Sequence, residues 1–259
     1  MLIPVLDLMR GRAVQARAGD RSRYAPVESE LIPGLGGDPV ALVAAYRDVL
    51  GARECYVADL DAIEGRAIRR DLHQGLARAA APCTLMVDAG AAAAAAALDV
   101  LAIGGARVVV GLETLRRMED LAAIVVAAGQ ERVIFSLDLR LGRPMLHPAN
   151  QRLERTATDI AARAVAAGAR TLLVLDVGRV GTGGGVDLRL LEALRRRFPS
   201  ERLLAGGGVA DRRDLDRIRD AGCDGVLLAT ALHTGRIGAA DVLAFAERAS
   251  DQSSASASR

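Results

Sequence analysis

Short apolar runs rich in Val, Ile and Leu alternate along the chain with longer segments in which Ala, Leu and Arg recur at helical spacing. Each short run predicts a strand, and each is followed by ten or more residues with the periodicity of a helix. The eight predicted strands are LIPVLDL, ECYVADLD, TLMVDAG, ARVVVGL, RVIFSLDL, TLLVLDVG, RLLAGGG and DGVLLAT.

Strands that are connected through helices form a parallel sheet, and eight such units in 259 residues fit a closed barrel better than an open doubly wound sheet. The Gly-rich turn that binds a dinucleotide in an open sheet is also missing after the first strand. We therefore predict an α/β protein with a (β/α)8 TIM barrel, forming one domain over residues 1–249. Residues 250–259 are rich in Ser and predict a disordered tail.

The two halves of the chain repeat each other. LDLMRGR and LDLRLGR place Asp7 and Asp138 131 residues apart, whereas Gly90 and Gly208 are 118 residues apart. We therefore predict half-barrel duplication, in which strands one to four superpose on strands five to eight. The difference in spacing places extra residues after strand one, in the loop AGDRSRYAPVESELIPGLGG. We expect this loop to act as a functional lid, with a tolerated surface insertion as the alternative.

Charge and composition narrow the class of ligand. The 34 basic and 32 acidic residues are spread along the chain, and aromatic residues make up 2% of it. This balance leaves no basic face for nucleic acid or a membrane, and few side chains on which bases could stack. Every basic residue is arginine, which excludes Schiff-base chemistry because that requires a lysine amine. We expect a small-molecule ligand and a monomer or small homo-oligomer.

The N-terminus enters a strand pattern without a basic leader, and no apolar run reaches the roughly 18 residues of a membrane helix. The three cysteines are widely separated within or beside apolar runs, which is typical of buried free thiols in a reducing compartment. We therefore expect a cytoplasmic protein. The three histidines, His73, His147 and His233, lack the spacing of metal ligands, and we expect solvated or capping roles for them.

Two aspartates are the strongest candidates for acid–base chemistry. Asp7 and Asp138 each follow an apolar strand run and precede a Gly-Arg turn. Strands one and five of an eight-stranded barrel lie opposite each other, so both carboxylates are expected to face the cavity at the C-terminal ends of the strands. Such a pair can divide acid and base work if their pKa values differ. The alternative is that each aspartate caps a turn or pairs with its neighbouring arginine.

Glycines after strand seven predict an anion site. Three of them run directly into a helix in AGGGVADRRD, and glycines let backbone N–H groups approach a phosphate. The end of strand eight joins them at the place where barrels commonly hold phosphate. The predicted phosphate-binding residues are Gly206, Gly207, Gly208, Ala229 and Thr230. In the first half, Asp88 stands where the first of these glycines would be, and it either repels an anion or serves another purpose.

Further residues are predicted to contact the substrate. Arg17, Arg21 and Arg23 lie on the long loop and could clamp an anion, and the glycines of the strand-six loop suggest a mobile segment. Strands two and six end in aspartates at equivalent positions of the two halves. The complete substrate-binding prediction is Arg17, Arg21, Arg23, Asp59, Asp176 and Gly183.

The chain resembles the histidine-biosynthesis barrel family, which has a ribotide isomerase (HisA) branch and a cyclase (HisF) branch. The segments that carry the resemblance are IPVLDLMRGRAV, ADLDAIEG, VVVGLETL, FSLDLRLGR and LLAGGGVADRRDLDRIRDAGCDGVLLATALHTGRI. The resemblance implies a duplicated (β/α)8 barrel without metal or organic cofactor, and it implies that Asp7 and Asp138 are the catalytic aspartates. The isomerase branch, which performs an Amadori rearrangement on a substrate with two phosphates, fits best, because the cyclase branch relies on a lysine after strand one.

The sequence departs from the isomerase pattern at three places. Val180 replaces the aspartate that the family uses as general acid in the strand-six loop, Leu175 replaces a threonine, and VDAGAAAAAA replaces an Arg-containing phosphate loop. One hypothesis is an isomerase of a phosphorylated sugar or ribotide in which Asp88 or Asp138 donates the proton. The alternatives are a paralogue with a different, singly phosphorylated substrate and a non-catalytic barrel that binds a phosphorylated metabolite.

Overall fold

Eight parallel strands form the centre of the protein, which was analysed as a computed structural model describing residues 1–150, 156–242 and 244–245. The strands are β1 (Leu2–Met9), β2 (Glu54–Asp59), β3 (Thr84–Asp88), β4 (Arg107–Gly111), β5 (Val133–Arg140), β6 (Thr171–Asp176), β7 (Arg202–Gly206) and β8 (Gly225–Leu228). The longer helices of the described chain are α1 (Pro39–Asp48), α2 (Arg70–Ala80), α3 (Ala94–Ala102), α4 (Met118–Ala128), α5 (Ala157–Ala166), α6 (Leu188–Arg197) and α7 (Arg212–Asp220).

The sheet closes on itself. Each strand pairs in parallel with the next one in the chain, and β8 returns to β1 through the pairs Leu2 with Val226 and Ile3 with Leu227. Since a helix follows each of the first seven strands, the architecture confirms the predicted (β/α)8 barrel. None of the helices in the described residues is long and apolar enough to cross a membrane.

One large buried side chain from each strand fills the barrel interior. These residues form a cluster separate from the larger apolar layer between strands and helices, as expected for a barrel that is a packed core and not a pore. They are Ile3, Tyr56, Met86, Val109, Ile134, Leu173, Leu204 and Leu227. The three cysteines are buried and free, as predicted.

The internal repeat is visible in the element boundaries. Strands β3 and β7 begin and end 118 residues apart, and so do helices α3 and α7. The loop between β1 and α1 spans residues 10–38, whereas its counterpart between β5 and α5 spans 141–156. The extra residues of the first half therefore lie in the first βα loop. The predicted tail, 250–259, lies outside the described residues.

The long first loop is ordered by backbone pairing. Residues Arg12–Gln15 form a short antiparallel strand with β1, Ala25–Pro26 pair with that strand, and Arg21–Arg23 form a turn of 3-10 helix. The loop ends at Asp38, whose carboxylate accepts the N–H groups of Val40 and Ala41 and so caps α1. This loop therefore forms one wall above the C-terminal ends of the strands.

Candidate active site

A cavity of about 690 Å³ opens at the C-terminal ends of the barrel strands. Its wall includes residues from β1, β2, β3, β5, β6 and β8 and from the loops after β1, β4, β6 and β7. Polar and charged side chains concentrate there, whereas the barrel floor below is apolar. The polar and charged wall residues are Asp7, Asp20, Arg21, Tyr24, Tyr56, Asp88, Glu113, Thr114, Asp138, Arg140 and Thr230.

Three carboxylates from alternate strands share this cavity. Asp7 lies in β1, Asp88 ends β3 and Asp138 lies in β5, and all three line the wall. The barrel places β1 and β5 on opposite sides, because three strands separate them in either direction around the sheet. The structure thus brings Asp7 and Asp138 to a common cavity.

Asp138 is held in place by two donors. The hydroxyl of Ser136 donates to Asp138 Oδ1 at 2.6 Å, and the backbone N–H of Glu113 approaches Oδ2 at 3.3 Å. A Cβ atom at Gly111 would lie 2.9 Å from Asp138 Oδ2 and 3.8 Å from Asp88 Oδ2. The glycine at the end of β4 therefore leaves room for the two carboxylates to approach the same point.

Asp88 is also held by two donors. The backbone N–H of Gly90 donates to Asp88 Oδ1 at 3.1 Å, and the Tyr56 hydroxyl donates to Oδ2 at 3.2 Å. Tyr56 is 3% exposed and lines the cavity between the acidic strands. Sequence reasoning missed this tyrosine because it stands within the apolar run ECYVAD, where it looks like an ordinary core residue.

Burial raises the pKa of each of these three carboxyl groups. The pKa of Asp7 rises to about 7 because of burial, which the Arg21 guanidinium partly offsets. The pKa of Asp88 rises to about 6, again mainly through burial. Burial and the charge of Asp88 hold the pKa of Asp138 well above its usual range. Near neutral pH Asp7 is therefore about half ionised, and the environment of Asp138 favours its protonated form.

Arg21 is the predicted clamp residue that lines the cavity. Its guanidinium lies 2.6 Å from Glu64 Oε1 and 3.9 Å from Glu113 Oε1, which connects the first loop to the loops after β2 and β4. Arg17 and Arg23 are exposed and do not line the cavity.

Four of the five residues predicted to bind phosphate line the cavity where β7 and β8 end. They are Gly207, Gly208, Ala229 and Thr230. Gly206 is not among the wall residues. Gly208 has a φ of +87°, and a Cβ atom there would lie 2.7 Å from the carbonyl oxygen of Gly185, so the strand-six loop packs directly on this turn.

The N-terminus of α7 is already capped by its own chain. The Asp211 carboxylate accepts the N–H groups of Arg213 and Asp214, and the Asp214 carboxylate accepts that of Ala210. An anion at this end of the cavity would therefore contact the glycine turn and the end of β8, without using the first-turn amides of α7.

The aspartates that end β2 and β6 point away from the cavity. Asp59 lies 2.8 Å from His73 Nε2 and accepts the N–H of Ala62, outside the strands. The Asp176 carboxylate accepts the N–H groups of Leu141, Gly142 and Gly178 at 2.9, 2.9 and 3.1 Å. Both carboxylates are therefore engaged in holding loops and do not face the cavity, contrary to the predicted substrate-binding role.

The loop after β6 closes against the first loop. Val180 and Gly181 line the cavity, and the carbonyl oxygen of Val180 accepts the N–H of Ala18 at 2.9 Å. Gly183 does not line the cavity, and a Cβ atom there would lie 3.5 Å from the Cβ of Ala210. At position 180 the cavity therefore meets an apolar side chain with no proton to donate.

The expected roles of the histidines were wrong for two of the three. His73 and His233 are buried, with 1% and 5% exposure, and their partners are Asp59 and Ser29. His147 does cap a turn, since its Nδ1 accepts the N–H of Ala149. Within the described residues, no group of three or more histidine, cysteine or acidic side chains is arranged to hold a metal ion.

The protein is similar in sequence to a family described as histidine biosynthesis protein, whose profile matches residues 1–238. Three relatives carry the name 1-(5-phosphoribosyl)-5-((5-phosphoribosylamino)methylideneamino) imidazole-4-carboxamide isomerase. The Thermus thermophilus protein is 31% identical over 91% of this chain and 95% of its own length. The Deinococcus radiodurans protein is 32% identical over 91% and 94%. The Stenotrophomonas maltophilia protein is 33% identical over 94% and 98%.

Proposed function

Because this chain belongs to the histidine biosynthesis protein family, we propose that it is an isomerase of a phosphorylated sugar or ribotide, working by aspartate acid–base catalysis. The observation that carries the proposal is the pair of carboxylates, Asp7 and Asp138, on opposite walls of one cavity. An aldose–ketose rearrangement of the Amadori type needs a proton delivered to the ring oxygen and another removed from C2. Two acidic groups with different pKa values can supply both transfers.

Asp7 is the proposed general base. Its pKa of about 7 leaves a substantial ionised fraction at neutral pH while keeping the carboxylate basic enough to accept a proton from carbon. Within the described residues no hydrogen-bond donor engages its carboxylate, so it is available to the substrate. Arg21, whose charge acts on Asp7, lies at the cavity mouth and favours the ionised form.

Asp138 is the proposed general acid, with Asp88 as its neighbour. Burial and the charge of Asp88 favour the protonated form of Asp138, and a protonated carboxyl group is what ring opening requires. This arrangement would substitute for the acid that Val180 cannot provide. We propose that Gly207, Gly208, Ala229 and Thr230 hold the substrate phosphate at the other end of the cavity.

A second candidate function is a barrel that binds a phosphorylated metabolite without catalysis. The observation that favours it is the apolar side chain of Val180 on the cavity wall. Under either function we propose a small-molecule ligand, a cytoplasmic location, and a monomer or small homo-oligomer with no role for nucleic acid or a membrane.

Proton exchange separates the two functions. The chain is incubated in D2O with a set of phosphorylated aldoses and ribotides, and loss of the C2 proton is followed by NMR. We expect exchange with at least one compound, slowed by about 100-fold or more in Asp7→Asn. The rate should rise with pH and level off above pH 7, because the base acts in its ionised form.

The matched control is Asp220→Asn, an exposed aspartate at the end of α7 that should leave exchange unchanged. A ligand that raises the melting temperature without any C2 exchange would support the binding protein in place of the isomerase.

A further inference from the structure

Asp88 occupies, in the first half of the barrel, the position that Gly206 occupies in the second. Strands β3 and β7 end at these two residues, and the 118-residue offset continues through the following turn to the start of α3 and α7. Gly90 is therefore the counterpart of Gly208, and both have positive φ angles, +69° and +87°. The two turns share a backbone design, but one of them begins with a carboxylate.

The carboxylate of Asp88 fills the anion position of its own turn. Asp88 Oδ1 accepts the N–H of Gly90, which is the amide equivalent to that of Gly208. A phosphate at this turn would have to displace that bond and lie beside the carboxylate.

The surroundings of Asp88 are acidic. Asp138 and Glu113 both act electrostatically with it, and Asp88 and Asp138 are only 7% and 4% exposed. Arg21, whose charge acts on Asp88, is engaged by Glu64 at 2.6 Å and lies 3.9 Å from Glu113. A second phosphate at this end of the cavity would meet like charge at low dielectric, where repulsion is strong.

We propose that Asp88 is a specificity-determining residue that restricts the cavity to ligands carrying a single phosphate, held at the β7–β8 end, with a hydroxyl or amine end facing the carboxylates. Hydroxyl and amine groups can donate hydrogen bonds to Asp88, Asp138 and Glu113, whereas a phosphate accepts them and repels. The inference rests on the proposed function, because it takes the glycine turn after β7 as the phosphate site.

The test compares ligands that differ by one phosphate. Dissociation constants for fructose 6-phosphate and fructose 1,6-bisphosphate are measured by calorimetry with the wild-type chain, Asp88→Gly and Asp88→Asn. The wild type should bind the monophosphate at least as tightly as the bisphosphate. Asp88→Gly, which copies the second-half turn, should bind the bisphosphate about tenfold or more tightly than the wild type does, whereas the monophosphate, which loses a hydrogen bond to Asp88, should bind no more tightly.

Asp88→Asn keeps the size of the side chain and removes its charge, so it should shift the ratio in the same direction by less. If the melting temperature shows that Asp88→Gly does not fold, Asp88→Asn takes its place in the comparison of the two ligands. A wild type that prefers the bisphosphate by tenfold, or a ratio unchanged in both variants, would overturn the proposal.

If neither fructose phosphate binds, inorganic phosphate can be used as the probe of the two turns. Crystals soaked in phosphate should show one ion in the wild type, at Gly207 and Gly208, and two in Asp88→Gly. Two ions in the wild type would refute the proposed role of Asp88 and leave the proposed phosphate site standing. No ion at either turn would refute both the role of Asp88 and the phosphate site.

Complementation separates the two proposals further. Rescue of a strain that lacks the ribotide isomerase, abolished by Asp7→Asn, would support the proposed isomerase and overturn the single-phosphate inference, because that substrate contains two phosphoribosyl groups. C2 exchange with a monophosphate and no rescue would support both.

Discussion

At the scale of single residues, equivalent positions in the two halves have acquired different chemistry. Asp7 and Asp138 occupy the same place in the repeat, yet Asp138 accepts hydrogen bonds from Ser136 and Glu113. Asp7 has no such donor within the described chain, and its pKa is near neutral. Neighbouring groups, more than residue type, therefore decide which aspartate acts as base.

The raised pKa of Asp7 predicts a pH-dependent stability. Its pKa is about 7 in the folded protein and 3.8 ordinarily, so between these values the folded state binds more protons than the unfolded state. The free energy of unfolding should therefore fall as pH rises from about 4 to 7. Asp7→Asn should remove this loss and be more stable than the wild type at pH 8, by on the order of 1 kcal/mol or more.

Urea denaturation at pH 5 and pH 8 measures the effect. The difference between Asp7→Asn and the wild type should be larger at pH 8, and a difference that is independent of pH would contradict a raised pKa of Asp7.

The Tyr56 hydroxyl is predicted to matter for activity more than for folding. Tyr56→Phe removes the donor to Asp88, so the pKa of Asp88 should rise from about 6. The C2 exchange rate should then fall between pH 6 and 7, because an uncharged Asp88 no longer favours the protonated form of the general acid Asp138. The expected loss of stability is about 1 kcal/mol. The matched control is Tyr46→Phe, because the Tyr46 hydroxyl donates to the carbonyl oxygen of Val5 and does not line the cavity. An equal change of the exchange profile in both variants would argue against a role for Tyr56 in the site.

At the scale of elements, loops define the cavity and one carboxylate ties two of them together. Asp176 ends β6 and accepts N–H groups from the loops after β5 and β6, and its Oδ2 lies 3.1 Å from Arg179 Nε. The loop after β6 in turn contacts the first loop through Val180 and Ala18. A substitution at Asp176 should therefore alter substrate binding by moving these loops, although Asp176 itself does not contact the substrate.

Asp176→Asn should destabilise the protein by about 2 kcal/mol, because an amide cannot accept all of these hydrogen bonds. We expect KM to increase more than kcat decreases, since the loops close the cavity. Steady-state kinetics and urea denaturation measure both effects. Asp187→Ala is the control: it removes the N-cap of α6, costs about 1 kcal/mol and should leave KM unchanged.

At the scale of the whole molecule, the two ends of the barrel divide stability from chemistry. At the end opposite the cavity, Glu54 of β2 pairs with Arg107 of β4 at 2.6 Å and with Arg202 of β7 at 2.5 Å. These residues join strands that are distant in sequence across the closed barrel. None of them lines the cavity.

Glu54→Gln should lower the free energy of unfolding by about 3 kcal/mol, because it leaves two arginines facing a buried site without their charge partner. Exchange activity per folded molecule should stay within about twofold, since active sites of barrels lie at the other end. Denaturant midpoints and C2 exchange rates test this together. A large loss of activity at unchanged stability would show that the two ends are coupled.

Much of the fold was predictable because its information is local or periodic. The strand and helix pattern predicts the barrel, and the offset between Gly90 and Gly208 recurs in the element boundaries. The shared cavity of Asp7 and Asp138 followed from symmetry. The outward position of Asp59 and the buried state of His73 could not be predicted, because an isolated aspartate at a strand end carries no signal of which side its carboxylate faces.

The sequence by itself determined the order of elements, the duplication and the positions of the acidic residues along the strands, because side-chain periodicity and spacing are properties of the chain. Only the tertiary structure decided which carboxylates share a cavity, which are spent on holding loops, and what their pKa values become. Those properties depend on burial and on donors supplied by distant segments, such as Tyr56 for Asp88 and Leu141 for Asp176. Contacts of that kind exist once the barrel has closed, and they decide how the site works.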